Sequence, residues 1–270
     1  MAWRVARRLR TSPALYGAAR RAYTAAGRVL PPRRIPGIPG PVHRNDLMVD
    51  PASEHSRTTY VERGRQVVAL LDEALSEAGR SLSEADVLDF GCGHGRIVRH
   101  LATVARSVSA CDLDHAGVRF CASAFGAVAV PGSTDLAAVP LGEYDAIWLG
   151  SVITHHPPGT CADLVAALAG HLRPGGVLVV SSADHVTLQV DLDAAGRGWM
   201  QQGAARLRRE LAADGATYVA YPQVADGSYG LGYQTDAWLD AAVSGRGLTP
   251  LWHRSDDWGP QATHAWLRPT

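Results

Sequence analysis

The 270-residue chain is 46% hydrophobic, long enough for one α/β domain with an appendage and able to bury a sizeable core. Its formal charge is zero but segregated: residues 1–45 hold ten arginines and no acid, leaving 16 basic against 26 acidic residues in the rest, a net of −10 that argues against a nucleic-acid substrate lying across the body. The four cysteines match no C-x-x-C or zinc spacing and read as reduced thiols, no apolar run reaches the ~18–20 residues of a membrane span, and no signal-peptide block follows the basic N-terminus, so a cytoplasmic protein is expected.

Residues 1–30 read as a helix. Ser12 and Pro13 suit its N-cap and first turn, and Leu15, Ala19, Ala22, Ala26 and Leu30 recur at helical spacing with Arg20, Arg21 and Arg28 between them. Residues 31–41 contain five prolines, which removes backbone donors and predicts an extended linker. This divides the chain into a basic extension, 1–41, and a main domain, 42–270. The extension can lie on an anionic membrane surface or a partner protein; a solvated or loosely docked tail is the alternative.

Residues 56–79 predict an amphipathic helix ending at Gly79. Strands and helices then alternate: strand 86–91, helix 95–104, strand 107–114, helix 115–125, strand 127–132, strand 144–151, helix 160–172, a turn at Arg173-Pro174-Gly175-Gly176, and strand 177–182. Such alternation means a parallel sheet with helices on both faces. From 183 to 247 the rhythm breaks into a substrate-side insertion with a polar stretch, a helix near 203–213, a Tyr-rich segment (Tyr218, Tyr221, Tyr229, Tyr233) and a helix at 235–243. Two last strands are expected at 248–254 and 263–268.

The strand DVLDFG ends in a glycine-rich turn that opens a predicted helix, a device for cradling an anion through close backbone approach and free amides. Gly91, Gly93 and Gly95 space as G-x-G-x-G, whereas a dinucleotide turn needs G-x-G-x-x-G and would put its third glycine at Arg96. Asp89, two residues before the first glycine, is awkward beside a pyrophosphate but suits an amino-acid ammonium. Together these residues resemble the first motif of class I S-adenosylmethionine (SAM)-dependent methyltransferases. The resemblance implies a doubly wound, Rossmann-like α/β fold with a seven-stranded, mostly parallel sheet behind the N-terminal helical extension. It also implies SAM as cofactor, held by Asp89, Gly91, Cys92, Gly93 and Gly95, by Asp112 and Leu113 at the end of the second strand for the ribose, by Ser133 and Thr134 near the adenine, with Asp135 beside them and helix capping as the alternative role for this group, and by Ser151. Asp114 competes with Asp112 for the ribose role and ranks below it, being past the strand end.

Within that class, HRNDLM (43–48), GHGRIVRHL (93–101), ACDLDHAGVRFCASAFGA (110–127), GSVITHH (150–156) and YGLGYQTDAWL (229–239) resemble a bacterial group associated with sugar and polysaccharide biosynthesis. SSADH after the fifth strand departs from that group's pattern, and WGPQATHAW near the C-terminus has no counterpart in it. The resemblance implies methyl transfer to a small-molecule or glycan acceptor, foremost a sugar hydroxyl. A secondary-metabolite N- or O-methyltransferase and a SAM-binding partner protein without turnover are the alternatives. A hydroxyl acceptor must lose a proton as it attacks, and histidine is the base suited to neutral pH. His155 and His156 lie at the mouth of the fourth strand and His185, with Asp184, just beyond the fifth; each can equally be a hydrogen-bonded structural residue. The Tyr-rich stretch and Trp238 are candidate covers of the acceptor, or a packed core. Tyr60 and Arg57 are placed to close over the cofactor. No metal constellation is visible, though scattered Asp and His residues leave room for a loosely bound cation.

Overall fold

The computed structural model describes residues 25, 27, 30–194, 196–222, 224 and 226–270. Apart from residues 25, 27 and 30, the helix expected over 1–30, with its Ser12–Pro13 start and most of the arginine-rich surface, lies outside the described residues.

Helix α1 (Glu54–Glu77) starts at Ser53, whose side chain accepts from the Ser56 amide. Its apolar stripe of Val67, Leu70, Leu71, Ala74 and Leu75 is buried against the sheet, each leucine contributing about 2 kcal/mol. Five strands follow: β1 (Asp86–Phe90), β2 (Ser107–Asp112), β3 (Val128–Pro131), β4 (Tyr144–Leu149) and β5 (Leu172–Ser182). Between them lie α2 (Val98–Leu101), α3 (His115–Phe125) and α4 (Pro158–Ala169). Then come α5 (His185–Asp193), α6 (Ala204–Asp214), β6 (Ala216–Ala220), β7 (Gly230–Gln234), α7 (Asp236–Val243), β8 (Thr249–Trp258) and β9 (Gln261–Leu267).

The main sheet has seven strands in the order β3-β2-β1-β4-β5-β9-β8. β1 to β5 are parallel; β9 is inserted antiparallel beside β5, and β8 pairs antiparallel with β9. This is the expected doubly wound, mostly parallel architecture. Alternate residues serve opposite faces: Val87, Ala146, Trp148 and Val179 pack under α1, while Leu88, Ile147, Leu149 and Leu178 pack against Leu164, Val165 and Leu168 of α4 and Leu239 and Val243 of α7. Strand order runs outward in opposite senses from the β1–β4 pair, so the crevice at the carboxyl ends of β1 and β4 is where such a sheet takes ligands.

Three elements differ from expectation. The helix predicted over 95–104 is one turn, Val98–Leu101, because the backbone is left-handed at Gly93 and Gly95 and folds into turns on both sides. Arg173-Pro174-Gly175-Gly176 is not a free turn but the bulged start of β5: Tyr144 pairs with Leu172 and Ala146 with Val177, and the Gly175 amide bonds the Arg268 carbonyl. The Tyr-rich segment folds as the antiparallel ribbon β6–β7, packed with α5 and α6 around Leu188, Met200, Leu207 and Tyr233.

The proline-rich stretch is not the extended linker its composition predicts: it doubles back through a turn at residues 36–40, where Gly37 and Gly40 have positive φ, and it is docked. Arg33 and Val42 bridge each other, and Ile35, Ile38 and Val42 bury with Val49, Tyr60 and Val61. Among the described residues no helix is long and apolar enough to cross a membrane.

Candidate functional site

The loop after β1 is shaped by hydrogen bonds to β2. The amides of Gly91 and Cys92 donate to the Cys111 carbonyl at 2.8 and 3.0 Å, and the Gly93 amide donates to Asp112 Oδ2 at 2.8 Å. The Gly95 amide folds back onto the Cys92 carbonyl. The expectation that the glycine amides and a helix end would face an anion therefore needs correcting: these amides are occupied and α2 is too short to carry a useful dipole. What the loop supplies is room. A Cβ on Gly91 would lie 2.4 Å from Val152, whereas one on Gly93 would meet nothing within 4 Å. Gly93 thus forms the bare wall of a cradle.

That cradle belongs to a cavity of about 1220 Å³ at the carboxyl edge of the sheet. A single drug-sized ligand fills about 300–1,000 Å³, so this space admits a cofactor with a second molecule. Asp89, Gly91, Cys92, Gly93, Asp112, Leu113, Ser133, Thr134, Ser151, His155 and His156 all line it. Two expected residues do not. Gly95 faces the core, where a Cβ would sit 2.7 Å from Phe125, and His185 is exposed on the first turn of α5. Asp114 is the N-cap of α3, while Asp112 lines the cavity and anchors the Gly93 and Asp114 amides with its two oxygens. Each oxygen keeps a further lone pair for a ligand hydroxyl.

Asp89 is 1% exposed, and its Oδ2 has no hydrogen-bond partner. Burial pushes its carboxyl up to about 7; neighbouring Arg96 opposes the shift and Asp112 adds to it. An orphaned buried oxygen of this kind fits a ligand ammonium group. The complementary positive charge comes from Arg63 on α1 and from Arg96, both of which line the cavity. The Arg96 guanidinium lies 4.9 Å above the Trp258 ring, and the Trp258 indole donates to the Arg63 carbonyl. Leu113, 58% exposed although apolar, and Leu136 give the ribose end a greasy surface. The residues present therefore fit SAM: a zwitterion between Asp89 and the arginines, hydroxyls at Asp112, and an apolar base beside Leu113.

The opposite end is built by the mouth of β4. Ser151 is left-handed, φ 61°: its amide donates to Ser181 Oγ, Gln261 donates to its hydroxyl, and Ser181 in turn donates to Gln261. A short 3-10 turn, Ile153–His155, then swings His155 into the cavity wall. His155 Nδ1 lies 3.0 Å from the Gly230 carbonyl. A carbonyl can only accept, so Nδ1 carries the hydrogen and Nε2 the lone pair. Burial lowers the pKa of His155, the Gly230 bond resisting, so the ring is neutral at pH 7. Tyr229 stacks on it at 4.9 Å and Tyr221 flanks Tyr229 at 5.6 Å.

Other expectations are redistributed. Tyr229 is the one tyrosine of the ribbon that lines the cavity; Tyr233 bonds Asp191, Tyr218 bonds the Gly227 carbonyl, and Trp238 packs into the α4 face. Tyr60 is buried, donating to Asp46, and Arg57 donates to the Pro51 carbonyl, so neither lies over the cavity. Arg63, one helical turn beyond Tyr60, does. Trp258, Pro260 and Gln261 were missed because they arrive from the tip of the β8–β9 hairpin, which no local spacing announces. Asp46 and Met48 fall in the HRNDLM segment, which carried the only signal for them.

Compared with known proteins, residues 87–176 match the profile of a family described as a methyltransferase domain. Magnesium protoporphyrin IX methyltransferase from Synechocystis PCC 6803, solved with bound S-adenosylhomocysteine, is similar in structure with a TM-score of 0.51. It is 18% identical, over 81% of this chain and 90% of that one. DesVI from Streptomyces venezuelae aligns with a TM-score of 0.50 at 15% identity, over 78% of this chain and 92% of that one. At such identities these likenesses speak to the fold alone. No curated protein sequence matches the chain.

Proposed function

We propose, from the premise that the chain is a SAM-dependent methyltransferase, that it methylates a hydroxyl of a sugar or glycan-like small molecule. Bound SAM supplies an electrophilic methyl group and departs as a neutral thioether. Asp89 pairs with the ammonium, Arg96 and Arg63 with the carboxylate, and Asp112 with the ribose hydroxyls, while Ser133, Thr134 and Leu113 border the base. Such contacts would hold the cofactor against the mouth of β4, and alignment is the main service a protein renders to an in-line displacement.

The observation that carries the acceptor reading is the His155 ring. With Nδ1 committed to Gly230, it offers a basic Nε2 beside the aromatic wall of Tyr229. A neutral hydroxyl can give its proton to that nitrogen, and the aromatic face can stack on a sugar ring. Five carboxylates line the cavity (Asp46, Asp89, Asp112, Asp135, Asp163) against the two arginines, which disfavours an anionic acceptor. His156 borders the same space and orients the wall rather than the proton; His185, exposed on α5, takes no part.

The test is transfer of a labelled methyl from SAM to a panel of neutral glycosides, nucleotide sugars and flat aromatic acceptors. Labelled O-methyl sugar is the expected product. Labelling of aromatic or amine acceptors alone would move the protein to secondary-metabolite chemistry, and SAM binding with no transfer to any acceptor would leave a binding protein. The cytoplasm, where SAM is available, is the compartment this reading requires.

A further inference from the structure

A second cluster lies at the far edge of the sheet, away from the cavity. The β8–β9 register sets His253 directly opposite His264, so both rings emerge on one face. Helix α7 covers that face, and Asp236 and Asp240, four residues apart on one side of it, look down on the two rings. His253 Nδ1 and His264 Nδ1 are 2.9 Å apart, and Asp236 Oδ1 is 3.5 Å from His264 Nδ1. One ligand atom from each of the three residues lies within 4.8 Å of the others.

We propose that Asp236, His253 and His264 hold a divalent transition-metal ion of the zinc type. Bonds of about 2.0–2.2 Å from zinc to imidazole nitrogen or carboxylate oxygen place neighbouring donor atoms roughly 3–3.5 Å apart; two of the separations here are 2.9 and 3.5 Å, and all three donor atoms lie within 4.8 Å of one another. One outer partner that such a site needs is hydrogen-bonded in place, and a second lies within charge-pair distance. His264 Nε2 is 2.7 Å from Ser182 Oγ, and His253 Nε2 is 3.2 Å from Asp240 Oδ2. Asp240 is itself positioned by the Trp266 indole, which donates to its other oxygen at 2.7 Å. Each ring thus turns its Nδ1 inward while its far nitrogen faces a polar neighbour, the arrangement that orients histidine ligands in metal sites. Two imidazoles and one carboxylate select a borderline metal over magnesium or calcium. His264 is fully buried while the Asp236 side chain is 57% exposed, so the ion enters from the Asp236 side and keeps water in its fourth position. Its effect is to staple α7 to the hairpin whose tip, Trp258 to Gln261, lines the cofactor cavity. A bond from one ring N–H to the other ring's nitrogen would also give the 2.9 Å contact, but it predicts no metal binding.

The experiment uses the full chain without a histidine tag, stripped with a chelator and titrated with zinc by calorimetry, and with cobalt by visible absorption. One equivalent should bind, with the d–d spectrum of a low-coordinate nitrogen–oxygen site and a rise in Tm. Asp236→Ala and His253→Ala should each weaken binding by about tenfold or more, whereas His55→Ala, exposed on the first turn of α1, should not. Asp236 is at the surface, so its variant keeps the fold and decides the matter even if His253→Ala unfolds. Zinc bound equally by parent and Asp236→Ala, or no zinc bound at all, overturns the proposal. SAM binding is measured in parallel and should persist in Asp236→Ala, so this outcome is independent of the methyltransferase reading.

Discussion

Asp89 carries a conflict between folding and binding. Its carboxyl, raised to about 7 by burial, holds in the folded state a proton that the unfolded chain has released near pH 4. The folded state then binds more protons than the unfolded one, so stability falls as pH rises from about 4 to 7 and the penalty is complete above that. Asp89→Asn should therefore be more stable than the parent by about 1–3 kcal/mol at pH 8, with the difference fading toward pH 4, in urea unfolding without cofactor. The same variant should lose SAM binding by calorimetry. His155 offers the second residue-scale prediction. His155→Ala should lower kcat about 10²–10⁴-fold with little change in KM for SAM, while His185→Ala leaves both unchanged. Because burial lowers the His155 pKa, the parent's rate should reach its plateau below the ordinary imidazole range. A His155→Ala enzyme with parental kcat would remove the base.

At the scale of elements, the Gly93 wall depends on how closely α3 approaches it. A Cβ on Gly117 would lie 2.1 Å from the Gly93 carbonyl oxygen, a backbone atom that cannot swing aside. Gly117→Ala should displace the loop, costing about 1–3 kcal/mol of stability in thermal melts and weakening SAM binding more than the distance of residue 117 from the cavity suggests. The same scale shows what the sequence could reveal. Apolar runs alternating with helices located β1 to β5, and Asp89, Gly93 and Asp112, singled out by the glycine spacing and the resemblance, line the cavity. The amide geometry was not legible. Whether Gly91, Cys92 and Gly93 turn their N–H groups inward or toward Cys111 and Asp112 is decided by neighbouring β2, not by their own spacing. Likewise Arg173-Pro174-Gly175-Gly176 has turn composition, yet Arg268 at the end of β9 recruits it into the sheet. Trp258 and Gln261 reach the cavity only because β9 is inserted antiparallel beside β5, a long-range choice that β8 and β9 do not encode locally.

Over the whole molecule the two ends of the sheet are specialised. The carboxyl end holds the cavity; the amino end is tied by a charge network. Asp145, 1% exposed, accepts from Arg80 at 2.6 Å, from Arg173 at 2.9 Å and from the Asp86 amide at 2.8 Å, and Arg106 bonds Asp86. Burial alone would raise the Asp145 pKa, but the Asp86 amide, Arg173 and Arg80 outweigh it and hold it below the usual carboxylate range. Its contribution is present above the unfolded carboxylate pKa and is lost as pH falls through the depressed folded value. Asp145→Asn should cost about 1–3 kcal/mol at pH 7, moderated because the arginines are partly solvated, and the gap from the parent should narrow in melts taken in acid. SAM affinity should not change. The docked proline segment has a practical corollary. Arg99, 3% exposed, donates to the Gly95 and Pro39 carbonyls and to the Tyr60 hydroxyl, clasping loop, strap and α1 together. A gene shortened to begin at residue 42 would remove the Pro39 and Pro41 carbonyls that Arg99 grips and bare Val42 and Val49. Such a product should accumulate in inclusion bodies.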